Sequence, residues 1–410
     1  MMMTNKLQSF YNLPPKVIFC SKCVNSNQYP TSIPEFQHSV DRKNAKYINF
    51  SNDNICDSCL QAKIKDEINW SEREKKLEIL LDKHRRNDGE YDCLVPGSGG
   101  KDSVYASYVL KYKYGMNPLT VTWPPIMYTD YGYKNYKNWL DVGGFDNITY
   151  KPSGYVMKKL TKIAIETLLH PFQTFILGQK NLAPKIASKY GINLVFYGEN
   201  EAEYGNPIAD NKQSLRDKSF YSIKNLDTIR LAGKTLKELK EEFELSLNDL
   251  KIFLPLIDKE YNDSLQIHYL GYYLKWIPQE AYYYAVDKTN FQARPFRTEG
   301  TYSKYNSIDD KIDDLHYYTR FIKFGIGRAT FDASQEIRNN HLTREEGKAL
   351  VKKFDGEFPN KYFKEIMEYL EINEEEFFNK CDEFRSPHLW KLDQNKWFLR
   401  HTVNQDGFDD

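Results

Sequence analysis

The segment with the clearest chemical potential combines glycines, serines, a lysine and an aspartate. It reads Gly97-Ser98-Gly99-Gly100-Lys101-Asp102-Ser103. An apolar run that predicts a strand ends just before it, and a helical pattern begins just after it. Glycines allow backbone N–H groups to turn towards an anion, and a helix start adds partial positive charge. A phosphate group is therefore the expected ligand of this turn.

Two common phosphate-binding loops do not fit this segment. A Walker A loop that ends at Lys101 needs glycine at position 95 and serine or threonine at position 102, where this chain has Val95 and Asp102. A dinucleotide-binding fingerprint that starts at Gly97 also needs glycine at position 102. Both alternatives therefore fail.

Residues 98–103 resemble the S-G-G-x-D-S signature of the PP-loop ATP pyrophosphatases, which split ATP between its α and β phosphates. The resemblance implies that the loop N–H groups, at Gly99 and Gly100, hold the leaving pyrophosphate together with the hydroxyls of Ser98 and Ser103. Lys101 then neutralises the pyrophosphate, and Asp102 helps to position Mg²⁺.

Four of the six cysteines form two C-x2-C pairs, Cys20 with Cys23 and Cys56 with Cys59. Four thiolates can close a tetrahedral site, so we predict a structural zinc ion that folds an N-terminal segment with little core of its own. An iron–sulfur cluster and a thioredoxin-like redox pair are the alternatives.

Short apolar runs alternate with longer helical patterns from residue 91 onwards. Strands are predicted at 91–95, 119–123 and 194–197, and helices after 103, at 156–169 and at 173–190. This alternation predicts a doubly wound parallel α/β sheet, with its ligand site beyond the carboxyl ends of the strands. The resemblance of residues 98–103 implies that the sheet is of the PP-loop type. Capping-box sequences at Ser71–Glu74 and Thr343–Glu346 predict two further helix starts.

Four regions follow from these patterns. Residues 1–66 form the zinc-binding segment, 67–90 a linker helix, 91–290 the ATP-binding α/β domain, and 291–410 a mainly helical region that completes the active site. A charged stretch at 205–262 is expected to be a solvated helical insertion or an oligomer contact. The aromatic cluster of Tyr272, Tyr273 and Trp276 suits either core packing or stacking on a ligand.

Composition restricts the function further. The 57 basic and 57 acidic residues cancel, so no overall field gathers nucleic acid. No run of 18 apolar residues occurs, and the first ten residues lack the apolar core of a signal peptide. We therefore expect a cytoplasmic protein that binds neither nucleic acid nor a membrane. Whether it forms a homo-oligomer is left open.

From Cys20 to about Trp390, the chain resembles the N-acetyl sugar amidotransferase family of bacterial surface-polysaccharide and flagellar-glycan pathways. The blocks that carry the resemblance are 20–24, 98–103, 129–135, 143–147, 197–205 and 320–330. The family converts an acetamido group into an acetamidino group. The implied route forms an O-adenylyl imidate with ATP, and ammonia from a separate glutaminase subunit then displaces AMP.

The remaining site residues are expected from this resemblance and from their positions. Gly198, Glu199, Asn200 and Glu203 follow a buried strand, where they can reach the nucleotide, Mg²⁺ or ammonia. Lys323 and Arg328 are candidates to cover the pyrophosphate, and Arg294 and Arg297 to hold an anionic N-acetyl sugar. Glu199, Glu203 and Lys323 join Lys101 and Asp102 as predicted catalytic residues.

Two other functions remain as alternatives. A PP-loop tRNA thiolase also combines this loop with cysteine pairs, but the only cysteine after the loop is Cys381 and the chain has no net positive charge. The second alternative function is that of a non-catalytic scaffold. Such a scaffold would bind zinc and nucleotide and would bind a glutaminase or a glycan-assembly complex.

Overall fold

The computed structural model describes residues 7–43, 45–204, 212–257 and 264–405. Its strands are β1 Cys93–Pro96, β2 Pro118–Thr122, β3 Asn147–Thr149, β4 Leu194–Tyr197, β5 Ser222–Ile223, β6 Arg230–Leu231, β7 Lys234–Thr235, β8 Leu256–Ile257, β9 Gln266–Tyr269, β10 Trp390–Asp393 and β11 Lys396–Leu399. Its α-helices are α1 Asp57–Glu67, α2 Trp70–His84, α3 Lys101–Tyr108, α4 Asp130–Asp141, α5 Gly154–Leu168, α6 Gln173–Lys189, α7 Leu236–Phe243, α8 Leu247–Leu250, α9 Leu270–Tyr273, α10 Pro278–Thr289, α11 Asp313–Phe324, α12 Arg328–Arg338, α13 Arg344–Phe354, α14 Phe363–Leu370 and α15 Glu374–Glu383.

A five-stranded parallel sheet in the order β3-β2-β1-β4-β9 forms the centre of the fold. Successive side chains of β1 point to opposite faces of the sheet. Leu94 packs with Leu160 and Leu182 of α5 and α6, whereas Val95 packs with Leu77 of α2 and with Leu110. Both faces are therefore covered by helices, and the predicted doubly wound α/β fold is confirmed.

Helix α2 starts earlier than its sequence predicts. The side chain of Asn69, not Ser71, accepts a hydrogen bond from the backbone N–H of Glu72 and caps the helix. The helix ends at His84, within the predicted linker helix of residues 67–90. The cap at Thr343 is confirmed, because Thr343 and Glu346 form a reciprocal capping box at the start of α13.

The charged insertion contributes to the main core. In the described part, 212–257, Tyr221, Ile229, Leu239 and Phe253 are buried and pack with the residues beneath the sheet. The expectation of a solvated excursion is therefore wrong, because apolar residues at helical spacing in this segment point inwards. The rest of the predicted insertion, like Gly205 of the resemblance block, lies outside the described residues.

The C-terminal region is mainly helical, as predicted. Helices α11, α14 and α15 pack around a second core that they share with the end of α5, and the region ends in the β10–β11 hairpin. Within the part of the chain that the structure describes, no helix has the length and apolar character needed to cross a bilayer.

Candidate active site

A pocket of about 240 Å³ lies where β1 turns into α3. One wall is the predicted PP-loop, residues 98–102, and the other is the C-terminal region. The lining residues that the following description uses are Ser98, Gly99, Gly100, Lys101, Asp102, Trp276, Asp309, Asp313, Arg328 and Phe331. The site therefore lies at the carboxyl end of the central strand, where ligands of doubly wound sheets bind.

The loop has the geometry of an anion-binding turn. Gly99 has φ +84°, a left-handed conformation that favours glycine. Gly100 is the N-cap of α3, and no side chain caps the first N–H groups of this helix. These donors and the partial positive charge of the helix start are therefore available to a phosphate.

Lys101 and Asp102 form an ion pair inside the pocket, with 2.6 Å between Lys101 Nζ and Asp102 Oδ2. The other oxygen, Asp102 Oδ1, accepts a hydrogen bond of 3.0 Å from Trp276 Nε1. Trp276 is almost fully buried, so it serves both the core and the pocket wall. The indole thus fixes the direction of the Asp102 carboxylate.

Glu199 follows β4 and lies near Asp102, although it is not among the residues that line the pocket. Gly198 approaches α3 so closely that a Cβ atom at this position would lie 2.5 Å from the carbonyl oxygen of Asp102. Burial, and after it the nearby Asp102 carboxylate, raises the pKa of Glu199 to about 7. Glu199 can therefore exchange a proton near neutral pH.

The C-terminal wall supplies one cation and several carboxylates. Ser98 Oγ donates a 2.8 Å hydrogen bond to Asp309 Oδ2 across the pocket. Arg328 is held by Asp332, 2.9 Å from its Nε, and by the Tyr317 hydroxyl, 2.9 Å from its Nη1. Asp313 also lines the pocket, and burial followed by Asp309 raises its pKa.

Two predicted nucleotide-binding residues lie outside the pocket lining, and one of them, Ser103, supports the PP-loop. Ser103 Oγ donates to the carbonyl oxygen of Gly100 at 2.9 Å, which braces the turn. The side-chain oxygen of Asn200 accepts a 3.2 Å hydrogen bond from Ala202 N. The side chains of both residues thus form hydrogen bonds with backbone groups next to the site.

Four other predicted residues lie away from this pocket. Lys323 is buried and donates to the carbonyl oxygen of Leu168 at 2.9 Å, beside a second cavity. Glu203 forms a buried ion pair of 2.8 Å with Lys65. Arg297 binds both carboxylate oxygens of Glu357, and Arg294 is 2% exposed in the adjoining core. Ion pairing or burial thus keeps each from the PP-loop.

The four N-terminal cysteines converge on one point. Cys20 Sγ lies 3.8 Å from Cys59 Sγ, and Cys23 Sγ lies 3.7 Å from Cys56 Sγ. A tetrahedral zinc ion with Zn–S bonds of about 2.3 Å requires S···S distances of about 3.8 Å. The group can therefore hold a metal, and its spacing fits a single ion rather than a cluster whose cysteines bind different irons.

Other chain segments enclose the cysteine group. Backbone N–H groups of Lys22, Cys23 and Cys56 donate to Cys20 Sγ. Arg344 donates from Nε to the carbonyl oxygen of Cys23 and from Nη2 to that of Cys20, at 3.1 Å each. These bonds orient the sulfur ligands and attach the cysteine segment to α13.

Comparisons with known proteins find a family model that matches the C-terminal region. Residues 299–403, which include Asp309, Asp313 and Arg328, match the family model of the C-terminal domain of WbpG-like LPS biosynthesis proteins. This match agrees with the family resemblance seen in the sequence, and it covers residues 299–403 of the chain.

Individual proteins are similar to this chain either over a small part of its length or at low sequence identity. The uncharacterized protein MJ1599 of Methanocaldococcus jannaschii is 39% identical over 79 residues, which are 19% of this chain and 28% of that relative. An NMN synthetase structure from Francisella tularensis aligns with TM-score 0.25 and 18% identity, over 32% of this chain and 56% of that chain. The U34-tRNA thiolase NcsA of Methanococcus maripaludis with its 4Fe–4S cluster aligns with TM-score 0.32 and 13% identity, over 87% and 89%.

Proposed function

We propose that this chain is an ATP-dependent amidotransferase of bacterial surface-polysaccharide synthesis. It adenylates the acetamido oxygen of an acidic N-acetyl sugar and replaces that oxygen with nitrogen from ammonia. The observation that carries the proposal is the pocket in which the uncapped start of α3 and Lys101 face Arg328 of the WbpG-like domain. Such a set of donors and cations suits the pyrophosphate that leaves when an adenylate forms.

The chemistry balances in two steps. The amide oxygen attacks the α phosphorus of ATP, the bond to the β-phosphate oxygen breaks, and pyrophosphate leaves with the amide proton released to solvent. Ammonia then attacks the imidate carbon, AMP departs with the original oxygen, and an acetamidino group remains. Activation is required because an amide oxygen is a poor leaving group.

Residues of the pocket take distinct roles in this proposal. The N–H groups at Gly99 to Asp102 and the Lys101 ammonium bind pyrophosphate, and Arg328 closes the site from the opposite wall. Asp102, with Asp309 facing it, offers the carboxylate oxygens that Mg²⁺ prefers, and this ion would neutralise the phosphates. Glu199 accepts a proton from ammonium or from the attacking nitrogen. We assign structural zinc to Cys20, Cys23, Cys56 and Cys59.

A separate glutaminase is proposed as the source of ammonia. Cys93 is fully buried within β1, and Cys381 is 1% exposed among apolar side chains. Burial raises the pKa of both thiols, so neither forms the thiolate that a glutaminase nucleophile needs. We therefore expect turnover with ammonium salts, and with glutamine only when a glutaminase is added. Use of ATP also implies a cytoplasmic location.

The test incubates the purified chain with ATP, Mg²⁺, ammonium and each candidate acidic N-acetyl sugar. Pyrophosphate release is measured, and mass spectrometry checks whether the product has NH in place of one oxygen. We expect both signals with one sugar class and neither with the Lys101→Met variant. Absence of pyrophosphate release with every sugar would overturn the proposal, and sulfur in the product would indicate a thiolase.

A further inference from the structure

A second cavity, of about 190 Å³, lies between residues 29–42 and helix α11. Its lining is rich in basic and imidazole groups: Arg42, Arg320, Lys323, His38, His170 and His316. The carboxylate in its lining is that of Glu35, whose Oε2 is 3.3 Å from His38 Nδ1. We call this space the cationic cavity.

The arginine and lysine groups of the cationic cavity form no close ion pair in the described part of the chain, and the Glu35 carboxylate acts on Arg42 and Lys323 only from beyond ion-pair distance. In the described ranges, no carboxylate forms an ion pair with Arg42, Arg320 or Lys323. Arg42 lies over the ring of Phe324 at 5.0 Å and Arg320 over Tyr29 at 4.6 Å, each to the ring centroid. Burial, followed by Arg42, holds the pKa of Lys323 well below its ordinary value, so we attribute the positive charge of the cavity to Arg42 and Arg320. Buried charges are costly unless they are paired, so this arrangement favours an anion in the cavity.

Several polar atoms around the cavity also have no partner among the described residues. They include Nε of Arg42, Nε of Arg320, Nδ1 of His170 and Oγ1 of Thr31. Thr31 is 6% exposed and His170 is 9% exposed, so water has little access to these side chains. An oxyanion would accept hydrogen bonds from such donors and remove the cost of leaving them unpaired.

Charge makes a metal ion a poor occupant. Ligand atoms of Glu35, His38 and His170 lie within 4.8 Å of one another, as a metal site would require. However, burial, and then Arg42 and Lys323, hold the pKa of His38 well below its ordinary value. The cations that disfavour a proton on His38 would also repel a divalent metal.

The cationic cavity adjoins the PP-loop pocket. Tyr29 lines the cationic cavity and Phe331 lines the PP-loop pocket, and their rings are stacked with 6.5 Å between centroids. Helix α11 also contributes to both, since Asp313 borders the PP-loop pocket whereas His316 and Arg320 border the cationic cavity. These positions are three and four residues apart and so share one helix face.

We propose that the cationic cavity binds the oxyanion, a carboxylate or a phosphate, of the acidic sugar whose acetamido group is activated in the PP-loop pocket. This inference rests on the proposed function. It assigns Lys323, with Arg42 and Arg320, to substrate binding rather than to the pyrophosphate. It also replaces Arg297 as an anion-binding residue, because Arg297 is already paired with Glu357.

Calorimetric titration with three acetamido sugars tests the proposal. N-acetylneuraminate carries a carboxylate, N-acetylglucosamine 1-phosphate carries a phosphate, and N-acetylglucosamine carries neither. We expect one acidic sugar to bind and the neutral sugar not to bind. Arg320→Gln should weaken binding about tenfold or more, because a charged hydrogen bond is lost. The matched variant Arg86→Gln, whose exposed guanidinium pairs with Asp88, should bind like the native chain.

Controls separate this inference from the proposed function. Arg320→Gln should keep its ATP affinity and melting temperature, and Arg42→Gln replaces it if it does not fold. Lys101→Met should still bind the acidic sugar.

Equal affinity for the neutral sugar, no binding of either acidic sugar, or full affinity in a folded Arg320→Gln variant would overturn the inference. So would a second bound metal ion that is lost in His170→Asn. Sugar binding without pyrophosphate release from any substrate would instead leave the cavity assigned and reject the amidotransferase.

Discussion

Glu199 offers a direct test of proton transfer at the level of one residue. Its pKa is raised to about 7, so the carboxylate form, which accepts a proton, prevails above that pH and is lost as the pH falls through it. With free ammonia held constant, turnover should therefore decline below about pH 7. Glu199→Gln should lower turnover about 100-fold and remove this step from the pH profile. An unchanged profile of AMP formation in the variant would exclude Glu199 as the base.

Lys101 tests the assignment of the pyrophosphate site. Removing its ammonium should lower pyrophosphate release roughly 100-fold or more, because developing charge on the leaving group is no longer neutralised. The comparison is Lys101→Met with Lys63→Met, which changes an exposed lysine on α1. Initial rates at saturating ATP measure the effect. Equal rates in the two variants would show that the loop does not handle the leaving group.

Local sequence could predict the PP-loop residues because 98–103 are contiguous and their types carry the chemistry themselves. It could not predict the opposite wall. Asp309 meets Ser98 across 211 residues of sequence, and Trp276 reaches Asp102 across 174. Nothing in the acidic run around Asp309 identifies which carboxylate faces the pocket. The position of Lys323 beside the second cavity, and not beside the PP-loop, could not be predicted for the same reason, because its environment depends on residues 29–42.

At the level of elements, the contact between β4 and α3 holds Glu199 against the loop. Gly198→Ala would place a Cβ 2.5 Å from the Asp102 carbonyl oxygen and force these elements apart. We expect a loss of about 1–3 kcal/mol in the free energy of unfolding and a marked loss of ATP-dependent turnover. Gly154→Ala is the matched control, since no atom lies within 4 Å of its added Cβ. Denaturant unfolding and pyrophosphate release measure both effects; similar results for the two variants would contradict the close approach.

The strands that the sequence predicted are those that are apolar and buried on both faces. β3 has only three residues, Asn147–Thr149, and its polar composition gives no strand signal. β9 follows the long insertion and contains Gln266 and His268, so it lacks a continuous apolar run. Both form because β2 and β4 offer free edges for pairing, which is a tertiary effect that local patterns do not contain.

At the level of the whole molecule, the cysteine site links the N-terminal segment to the rest. Cys23→Ser should remove about one equivalent of bound zinc and cost about 4 kcal/mol or more in stability, since metal binding here contributes folding energy. Cys381→Ala is the control: it removes a buried thiol from a separate core and should retain the metal. Metal analysis and thermal unfolding measure the two outcomes. Full zinc content in folded Cys23→Ser would reject the four-thiolate site.

The hydrogen bonds from Arg344 to the carbonyl oxygens of Cys20 and Cys23 join residues that are 324 and 321 positions apart in the sequence. During synthesis, the cysteine segment leaves the ribosome first. The Arg344 guanidinium that binds it becomes available only when α13 has also left the ribosome. The cysteine group therefore cannot reach its final packing before α13 has been synthesised, when all five strands of the central sheet already exist in the nascent chain. Premature termination before α13 should yield a nascent chain with solvent-accessible thiolates, open to metal exchange and oxidation.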